Sequence, residues 1–482
     1  MFEAKILRKL AETYYQSECL HFQKIPQSGS HRLYFRMHFQ DKPTLMGVYN
    51  DDLKENEAFF SFSDFFAQQG IRVPEIFAID ESRMYYLLSD LGDETLFSHL
   101  TTHRKGEEIG EETLSYYKKV LQELPRLQLS GKKGLDFSKC YPCEEFDRQA
   151  MQWDLNYFKY CFLKIVNVAF DEQALEKDFQ KLLDFLTQAD TDYFLFRDFQ
   201  SRNIMLHDGE AYFIDYQGGR KGALPYDVAS LLYDGKAGLS PALRHELLQF
   251  YLDELAKHIV VNRNEFEALY EGFVFIRILQ AFGTYGYRGL TEKKVHFIKS
   301  IPYATRNLLY LLEHTHLPME LPELFAVIRR IAETEWAKYD ETKEAADKLT
   351  IDICSFSYKK GFPVDYSDNG GGFIFDCRAL PNPGREERFK CHTGREKVVA
   401  DYLEQYEKVT EFKNETYHLV KISVDNYLER QFTHLSVGYG CTGGQHRSVY
   451  FAESLAQKLE AEYGNRIVIN LKHTNAQNWQ SK

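Results

Sequence analysis

Three short runs near the start of the chain, at residues 33–39, 44–49 and 84–88, are rich in aromatic and aliphatic residues, and polar residues interrupt the first of them. Such runs predict strands, and the first two are close enough in the chain to pair. Residues 55–70 have helical spacing and end at a glycine, which predicts a helix between the second and third runs. The first hundred residues therefore read largely as strands.

Longer segments with a helical period follow, at about residues 113–186 and 239–334. A small β-rich lobe before a larger helical one predicts an α+β bilobal fold for residues 1–335, with lobes of about 1–92 and 93–335. The charged segment 336–349 is short of apolar residues and predicts an exposed helix or a tether. Residues 350–482 then form a separate α/β domain.

Charge and cysteine content narrow the function classes. Residues 351–482 carry 17 basic and 17 acidic residues, so the formal net charge of −12 belongs to the rest of the chain. This balance argues against non-specific nucleic-acid binding by the whole molecule. No apolar run approaches the roughly 18 residues of a spanning helix, so we expect no membrane partner. The eight cysteines are scattered, and only Cys140 and Cys143 have a metal-like spacing, without a second pair. We expect reduced thiols and a cytoplasmic location.

The most informative segment of the first domain is residues 194–215, which holds Asp198, then Asn203, then Asp215 at the end of a β-run. Phosphoryl transfer needs a carboxylate that deprotonates a substrate hydroxyl and oxygen ligands for Mg²⁺. A loop carrying the first two residues, closed by a hairpin that ends at the third, would bring all three to one cleft. The alternative is a turn that is merely rich in Asp and Asn.

In this region the chain resembles the kinase-like phosphotransferase family of aminoglycoside and choline kinases. More narrowly, it is similar to the bacterial anomeric kinases of N-acetylmuramate and N-acetylglucosamine. The matching pieces occur in the order of the family, at residues 29–36, 73–76, 90–93, 197–203, 214–217 and 225–232.

The resemblance implies a kinase that uses ATP and Mg²⁺ to phosphorylate a small molecule, with an amino sugar as the expected acceptor. It implies Asp198 as catalytic base and Asn203 and Asp215 as metal ligands. It also implies an ATP site formed by the loop at Gln27–His31 and by the hinge, with these contact residues: Ser28, Gly29, Ser30, His31, Arg32, Ser89 and Leu91. Asp227 is expected to brace the catalytic loop.

Two departures from the family pattern stand out. Phe196 occupies the position before Arg197, where the wider family usually has His. The strand at residues 44–49 has no lysine to hold the ATP phosphates and pair with a helix glutamate such as Glu57. Arg32 and Arg36, next to the glycine turn, are the candidates to supply that charge, and the alternative is that both are ordinary solvated arginines of a strand. The alternative function is a catalytically silent, nucleotide-binding regulator or RNA adaptor.

In the second domain, a β-run leads into a glycine-rich turn, and a helical pattern begins near Ser448. Such a turn aims backbone N–H groups and a helix N-terminus at one point, which predicts an anion site. Thr442, His446, Arg447 and Ser448 can add charge and hydroxyl groups. An alternative is a phosphatase, because Cys441 and Arg447 have the Cys-x5-Arg spacing of cysteine phosphatases.

Residues 355–363, 375–383, 393–394 and 440–448 resemble the C-terminal domain of the RapZ family of RNase adaptor proteins. That resemblance implies an α/β domain that binds small regulatory RNA and senses glucosamine-6-phosphate. The residues carried over are Lys359, Lys360, Arg378, Asn382, Thr442, Gly443, Gly444, His446 and Arg447. Together the two resemblances predict an amino-sugar kinase fused to a phosphosugar- or RNA-binding regulatory domain.

Overall fold

A computed structural model describes residues 2–26, 32–104, 106, 108–338, 348–363 and 371–479. The chain divides into two compact units. The first contains the described residues up to Tyr287 together with Ser300–Lys338, and the second contains Arg288–Lys299 and the described residues from Lys348 onward. Among the described residues, no helix is long and apolar enough to cross a membrane.

The amino-terminal lobe is an antiparallel five-stranded sheet in the order β1-β2-β3-β5-β4. Its elements are α1 (Phe2–Tyr15), β1 (Cys19–Lys24), β2 (Leu33–Phe39), β3 (Lys42–Tyr49), α2 (Leu53–Gln68), β4 (Ile76–Ile79) and β5 (Tyr85–Ser89). The predicted strands and the helix between them are confirmed, and β2 pairs with β3 as expected. The side chain of Asp52 caps α2 by accepting a hydrogen bond from the amide of Glu55, 3.1 Å away.

The first helix was not expected from the sequence. It places Leu7 in a buried cluster with Phe35 and Tyr85, and Ala11 in a second one with Met37 and Leu45. Charged residues occupy the other face of α1, so its narrow apolar stripe is easily read as an irregular polar segment.

The helical lobe follows, and two short antiparallel ribbons interrupt its helices. Its helices are α3 (Leu96–His103), α4 (Glu111–Gln128), α5 (Arg148–Phe158), α6 (Glu172–Leu186), α7 (Pro225–Leu232), α8 (Pro241–Ala256), α9 (Arg263–Thr284), α11 (Ile301–His314) and α12 (Pro322–Glu333). The short helix α10 (Val295–Ile298) belongs to the second unit. The ribbons pair β6 (Tyr193–Leu195) with β9 (Arg220–Gly222), and β7 (Ile204–His207) with β8 (Glu210–Phe213). The predicted hairpin between Asn203 and Asp215 is thus confirmed.

The second unit is built on a four-stranded parallel sheet in the order β11-β12-β10-β13. Its elements are β10 (Leu349–Ser357), β11 (Gly372–Asp376), α13 (Lys397–Glu404), α14 (Glu407–Glu429), β12 (His434–Cys441), α15 (Arg447–Tyr463) and β13 (Ile467–His473). The apolar core includes Ile351, Ile353, Val437 and Leu459. Because all four strands run parallel, their carboxyl ends lie at one edge of the sheet, which is where ligands bind in α/β folds.

Candidate functional site

The loop at residues 196–203, called the catalytic loop after its predicted role, and the β7–β8 hairpin bring the three predicted residues together. The side-chain nitrogen of Asn203 donates to the carbonyl oxygen of Asp198 at 2.9 Å. The backbone N–H of Ile214 donates to the carbonyl oxygen of Asn203 at 3.1 Å, which places Asp215 next to that asparagine. Asp215 has a φ of 71° in the left-handed region, which turns the chain directly after the hairpin.

Asp227 anchors the catalytic loop from α7. Its carboxylate accepts the backbone N–H of Phe196 at 2.8 Å and that of Arg197 at 3.1 Å. Burial raises the pKa of Asp227 to about 7, although the two amides favour its ionised form. This is the bracing role that the sequence predicts for Asp227.

The residue at the position where the wider family has histidine is part of an apolar core. Phe196 is buried, with its ring centroid 5.1 Å from that of Phe199 and 6.3 Å from that of Tyr216. Its neighbour Arg197 is held by Asp154 and Tyr226, both at 2.6 Å. Aromatic packing and a buried ion pair therefore hold this segment, in place of a histidine.

Asp215 and Asn203 form a donor set that fits Mg²⁺. Burial raises the pKa of Asp215, and a hydrogen bond from Gln217 at 2.7 Å opposes this effect. A bound cation would relieve the desolvation of this carboxylate. The side-chain nitrogen of Asn203 is engaged with Asp198, which leaves its oxygen for a metal. Within the described ranges no group of three or more His, Cys, Asp or Glu residues forms a preformed cage, and Mg²⁺ bound through phosphates does not need one.

Arg32, directly before β2, is a buried cation close to Asp215. Its side chain is only 3% exposed and pairs with Glu55 of α2, with 3.4 Å between Nη2 and Oε2. The charge of Arg32 also opposes the rise in the pKa of Asp215, so the two groups are neighbours. The glutamate that faces the site is Glu55 and not Glu57, because Glu57 pairs with Arg83 outside the site.

Arg36, the other candidate cation, serves the hinge. It pairs with Asp90 at 2.7 Å and with Asp93 at 2.9 Å, and its hydrogen bonds lower the pKa of Asp93. Ser89 is fixed by a backbone and a side-chain hydrogen bond to Glu75, at 2.9 and 3.0 Å. The hinge residues Ser89 and Leu91 thus follow directly from a firmly paired strand, while Ser28, Gly29, Ser30 and His31 lie outside the described residues.

Side chains at the end of β10 and in the segment after β13 hold the glycine loop of the second unit. Its carbonyl oxygens at Thr442, Gly443 and Gly444 accept hydrogen bonds from Ser357 at 2.7 Å, Asn475 at 2.6 Å and Trp479 at 2.8 Å. In a trans peptide the carbonyl and the following N–H point in opposite directions. The N–H groups that follow these carbonyls therefore point away from the three partners. That of Gly444 donates to the thiol of Cys441, and that of Gly443 is the candidate to meet an anion.

Arg447 and His446, at the end of this loop, donate hydrogen bonds to different backbone carbonyls. The Nη1 atom of Arg447 donates to the backbone carbonyls of Cys377, Arg378 and Leu380 at 2.9–3.2 Å. Its side chain is buried, so Arg447 braces the loop that follows β11. His446 donates from Nε2 to the carbonyl of Phe389 at 2.8 Å, and burial lowers its pKa.

The remaining candidates lie around the loop. Lys359 and Lys360 are exposed two and three residues after Ser357, which donates to a carbonyl of the loop. Arg378 pairs with Asp376 at 2.7 Å, and the side chain of Asn382 caps the turn that contacts His446 through Gly384.

Cys441 ends β12 beneath the glycine loop. Its thiol is 3% exposed, lies 3.1 Å from the hydroxyl of Ser448, and accepts the N–H of Gly444 at 3.2 Å. The Cys-x5-Arg alternative needs an arginine that reaches the reacting phosphate. Nη1 of Arg447 is engaged by backbone carbonyls and its side chain is buried, so the geometry does not favour a phosphatase.

Sequence reasoning missed Glu55 and Gln217. Glu55 lies one helical turn before Phe59, which is buried against Tyr216, so helical periodicity places it on the inward face of α2. Gln217 follows Asp215 by two residues and donates to both Asp215 and Glu55. The spacing of α2 could have identified the glutamate, whereas nothing in the sequence pattern indicates the glutamine.

Two family models match separate parts of the chain. Residues 21–259 match the phosphotransferase enzyme family, and residues 349–477 match the RapZ C-terminal domain. The predicted fold class is confirmed: a bilobal α+β kinase-like fold is followed by a separate domain with a parallel sheet and a strand–loop–helix.

Curated relatives share a limited part of the chain. A nucleotide-binding protein of Psychrobacter sp. (strain PRwf-1) is 33% identical over 137 residues, which are 28% of this chain and 42% of the relative. A nucleotide-binding protein of Cereibacter sphaeroides (strain KD131) is 44% identical over 120 residues, or 25% of this chain and 38% of the relative. The chain thus spans well under half the length of these relatives.

Two solved structures are also similar to this chain. A choline kinase from Cryptosporidium parvum Iowa II has a TM-score of 0.44 at 12% identity, covering 68% of this chain and 99% of the other. A choline/ethanolamine kinase family protein from Mesorhizobium loti has a TM-score of 0.44 at 13% identity, covering 69% and 100%.

Proposed function

We propose that residues 1–335 form an ATP-dependent kinase that phosphorylates a small-molecule hydroxyl, with an amino sugar as the acceptor. The observation that carries this proposal is the convergence of Asp198, Asn203 and Asp215 on one loop and hairpin. The match of residues 21–259 to the phosphotransferase enzyme family supports it.

In this proposal Asp198 is the catalytic base. Its side chain is 51% exposed, so an acceptor hydroxyl can reach it. The carboxylate takes the hydroxyl proton while the hydroxyl oxygen bonds to the γ-phosphorus of ATP and the bond to ADP breaks. Asn203 and Asp215 would hold Mg²⁺, and Arg32 would face the phosphates of bound ATP. Bound Mg–ATP supplies the phosphoryl group and neutralises the negative charge that develops in the transition state.

The test is ADP release with Mg–ATP across N-acetylmuramate, N-acetylglucosamine, glucosamine, choline and kanamycin. We expect turnover with an amino sugar, and Asp198→Asn should reduce kcat by about 10²–10⁴-fold because general-base catalysis is lost. Asp208→Asn is the matched control, since Asp208 is an exposed residue of the β7–β8 turn whose φ of 50° suits asparagine. ATP binding without turnover on any acceptor would indicate a silent nucleotide-binding regulator instead.

For the second domain, we propose that the glycine loop binds the phosphate of a phosphorylated amino sugar, and that this ligand controls binding of a small RNA. Three carbonyl contacts hold the glycine loop in place, and Lys359 and Lys360 are exposed two and three residues after Ser357, which makes one of these contacts. The match of residues 349–477 to the RapZ C-terminal domain supports the proposal, as does the description of the curated relatives as nucleotide-binding proteins.

Calorimetry on the full chain tests this proposal, with glucosamine-6-phosphate compared against glucosamine and inorganic phosphate. Thr442→Val should weaken binding of the phosphosugar, because it removes an exposed hydroxyl from the loop without disturbing a buried contact. Equal affinity for inorganic phosphate would indicate a general anion site. RNA binding that is unchanged by the phosphosugar would refute the control of RNA binding.

A further inference from the structure

A buried arginine of the helical lobe lies beside the half-exposed carboxylate of Asp198. Arg277 of α9 places Nη2 3.7 Å from Oδ1 of Asp198, and only 8% of its side chain is exposed. This is the one ion pair of Asp198 among the residues that the structure describes. A buried guanidinium loses hydration, and such groups are retained where they are paired and hydrogen-bonded.

The other nitrogens of Arg277 are fixed by neighbours. Nε donates to the hydroxyl of Ser230 on α7 at 2.9 Å, and Nη1 donates to the side-chain oxygen of Gln280 one turn along α9. Ser230 is itself buried. The guanidinium is therefore held in one orientation by two helices, and Nη2 is the nitrogen that faces the catalytic loop.

Ionisable groups surround this pair. Arg277 acts electrostatically on Tyr226 and Tyr285, and Asp198 acts on Arg197, Asp215 and Asp227. The other arginine, Arg197, is committed to Asp154 and Tyr226. Arg277 is thus the cation that is available to orient the carboxylate of Asp198.

The geometry points to Arg277 as a positioning residue: it holds the carboxylate of Asp198 in the orientation that receives the acceptor proton. This inference rests on the proposed kinase function. A separation of 3.7 Å between Nη2 and Oδ1 is longer than a hydrogen bond, so the carboxylate of Asp198 stays available to a hydroxyl. The guanidinium of Arg277 still limits the orientation of that carboxylate on the side that it faces. The sequence gives no sign of this role, because Arg277 lies in an apolar helix remote from the loop in the chain.

Steady-state kinetics of Arg277→Met, Arg277→Lys and wild type test the inference, with the acceptor that the panel above identifies. We expect Arg277→Met to lower kcat by about 10²-fold with little change in the KM for ATP, because misplacing a reacting group costs about this much. Arg277→Lys should recover part of kcat, since the cation remains. Added guanidinium chloride below denaturing concentration should also raise kcat of Arg277→Met.

Arg263→Met is the matched control on the same helix. Arg263 is half-exposed and pairs with Asp253 and Gln249, away from Asp198. A raised acceptor KM with unchanged kcat in Arg277→Met would overturn the inference and make Arg277 an acceptor-binding residue. Loss of kcat with no recovery by lysine or guanidinium would overturn it in favour of a structural role. An inactive wild type would refute the proposed function, and this inference with it, whereas an active wild type with a fully active Arg277→Met refutes this inference alone.

Discussion

At the scale of single residues, the buried pair Arg32–Glu55 is the proposed cation and glutamate of the kinase site. If Arg32 faces the ATP phosphates as proposed, Arg32→Met should reduce kcat by about 10²-fold and raise the KM for ATP, because a buried cation is lost. Arg32→Lys should retain part of the activity, since lysine keeps the charge but not the two-pronged geometry. ADP release measures both variants.

The control for that prediction is Arg83→Met, which breaks the ion pair of Arg83 with Glu57 outside the site. Exposed pairs contribute about 0–1 kcal/mol to stability, so activity should not change. Equal loss in Arg32→Met and Arg83→Met would mean that the effect comes from instability of the lobe, and the assignment of Arg32 to the phosphates would fail.

The buried carboxyl group of Asp227 makes the free energy of unfolding depend on pH. Burial raises its pKa to about 7, above the value of about 4 for an unfolded aspartate. Between these two values the folded chain holds a proton that the unfolded chain has lost, so this group's contribution to stability falls as pH rises from about 4 to about 7. Asp227→Asn cannot titrate and should remove this slope.

Denaturant unfolding of wild type and Asp227→Asn at several pH values measures this dependence. The free energy of unfolding of wild type minus that of Asp227→Asn should be greatest near pH 4. It should fall up to about pH 7 and stay constant above that. A constant difference across this pH range would show that Asp227 keeps an ordinary pKa, because its two backbone donors then outweigh burial.

At the scale of elements, the turn at Gly394 supports the glycine loop by close approach of two backbones. The N–H of Gly394 donates to the carbonyl of Gln445 at 2.9 Å, and an added Cβ would lie 2.2 Å from the carbonyl oxygen of His446. Gly394→Ala should therefore destabilise the second unit by about 1–3 kcal/mol, as overpacking does. Gly443→Ala, whose Cβ would meet nothing within 4 Å, should change stability by no more than about 0.5 kcal/mol.

Thermal unfolding compares the two glycine variants. If Gly394→Ala and Gly443→Ala were equally stable, the loop would have room to shift, and the close approach at Gly394 would not be required for the fold.

The elements that the sequence predicted are those with a strong local pattern. The strands β2 and β3, the helix α2 and the strand–loop–helix at Cys441 all follow from runs of aromatic and aliphatic residues, helical spacing and glycine position. The helix α1 was missed because charges enter each of its turns and only a narrow stripe is buried.

The direction in which each side chain of the site points was harder to predict from the sequence than the residues themselves. The residue types indicated Asp198, Asn203 and Asp215, but the choice of Glu55 over Glu57 depends on which face of α2 packs inward. Arg447 is charged and stands at a glycine loop, so a ligand contact was the natural expectation. Its commitment to three carbonyls of a distant loop depends on tertiary packing, which no local pattern encodes.

At the scale of the whole molecule, each unit has its own core and its own candidate site. The strands and helices of the second unit form a buried apolar cluster of their own. Along the chain, its members extend from Leu349 to Ile467. A ligand that binds only the folded form of a unit stabilises it, by about 2.7 kcal/mol at a hundred times its Kd. Each proposed ligand should therefore slow hydrogen exchange in the unit that binds it.

Hydrogen exchange on the full chain tests this expectation. A non-hydrolysable ATP analogue with Mg²⁺ should slow exchange in peptides around Asp198 and Asp215, because the closed states of the segments that hold the nucleotide are stabilised. Glucosamine-6-phosphate should slow exchange in peptides of the glycine loop and the start of α15. Protection of the glycine loop by the nucleotide alone would contradict the assignment of two sites, since the loop would then belong to the nucleotide site. Asp215→Asn should abolish the first effect and leave the second unchanged.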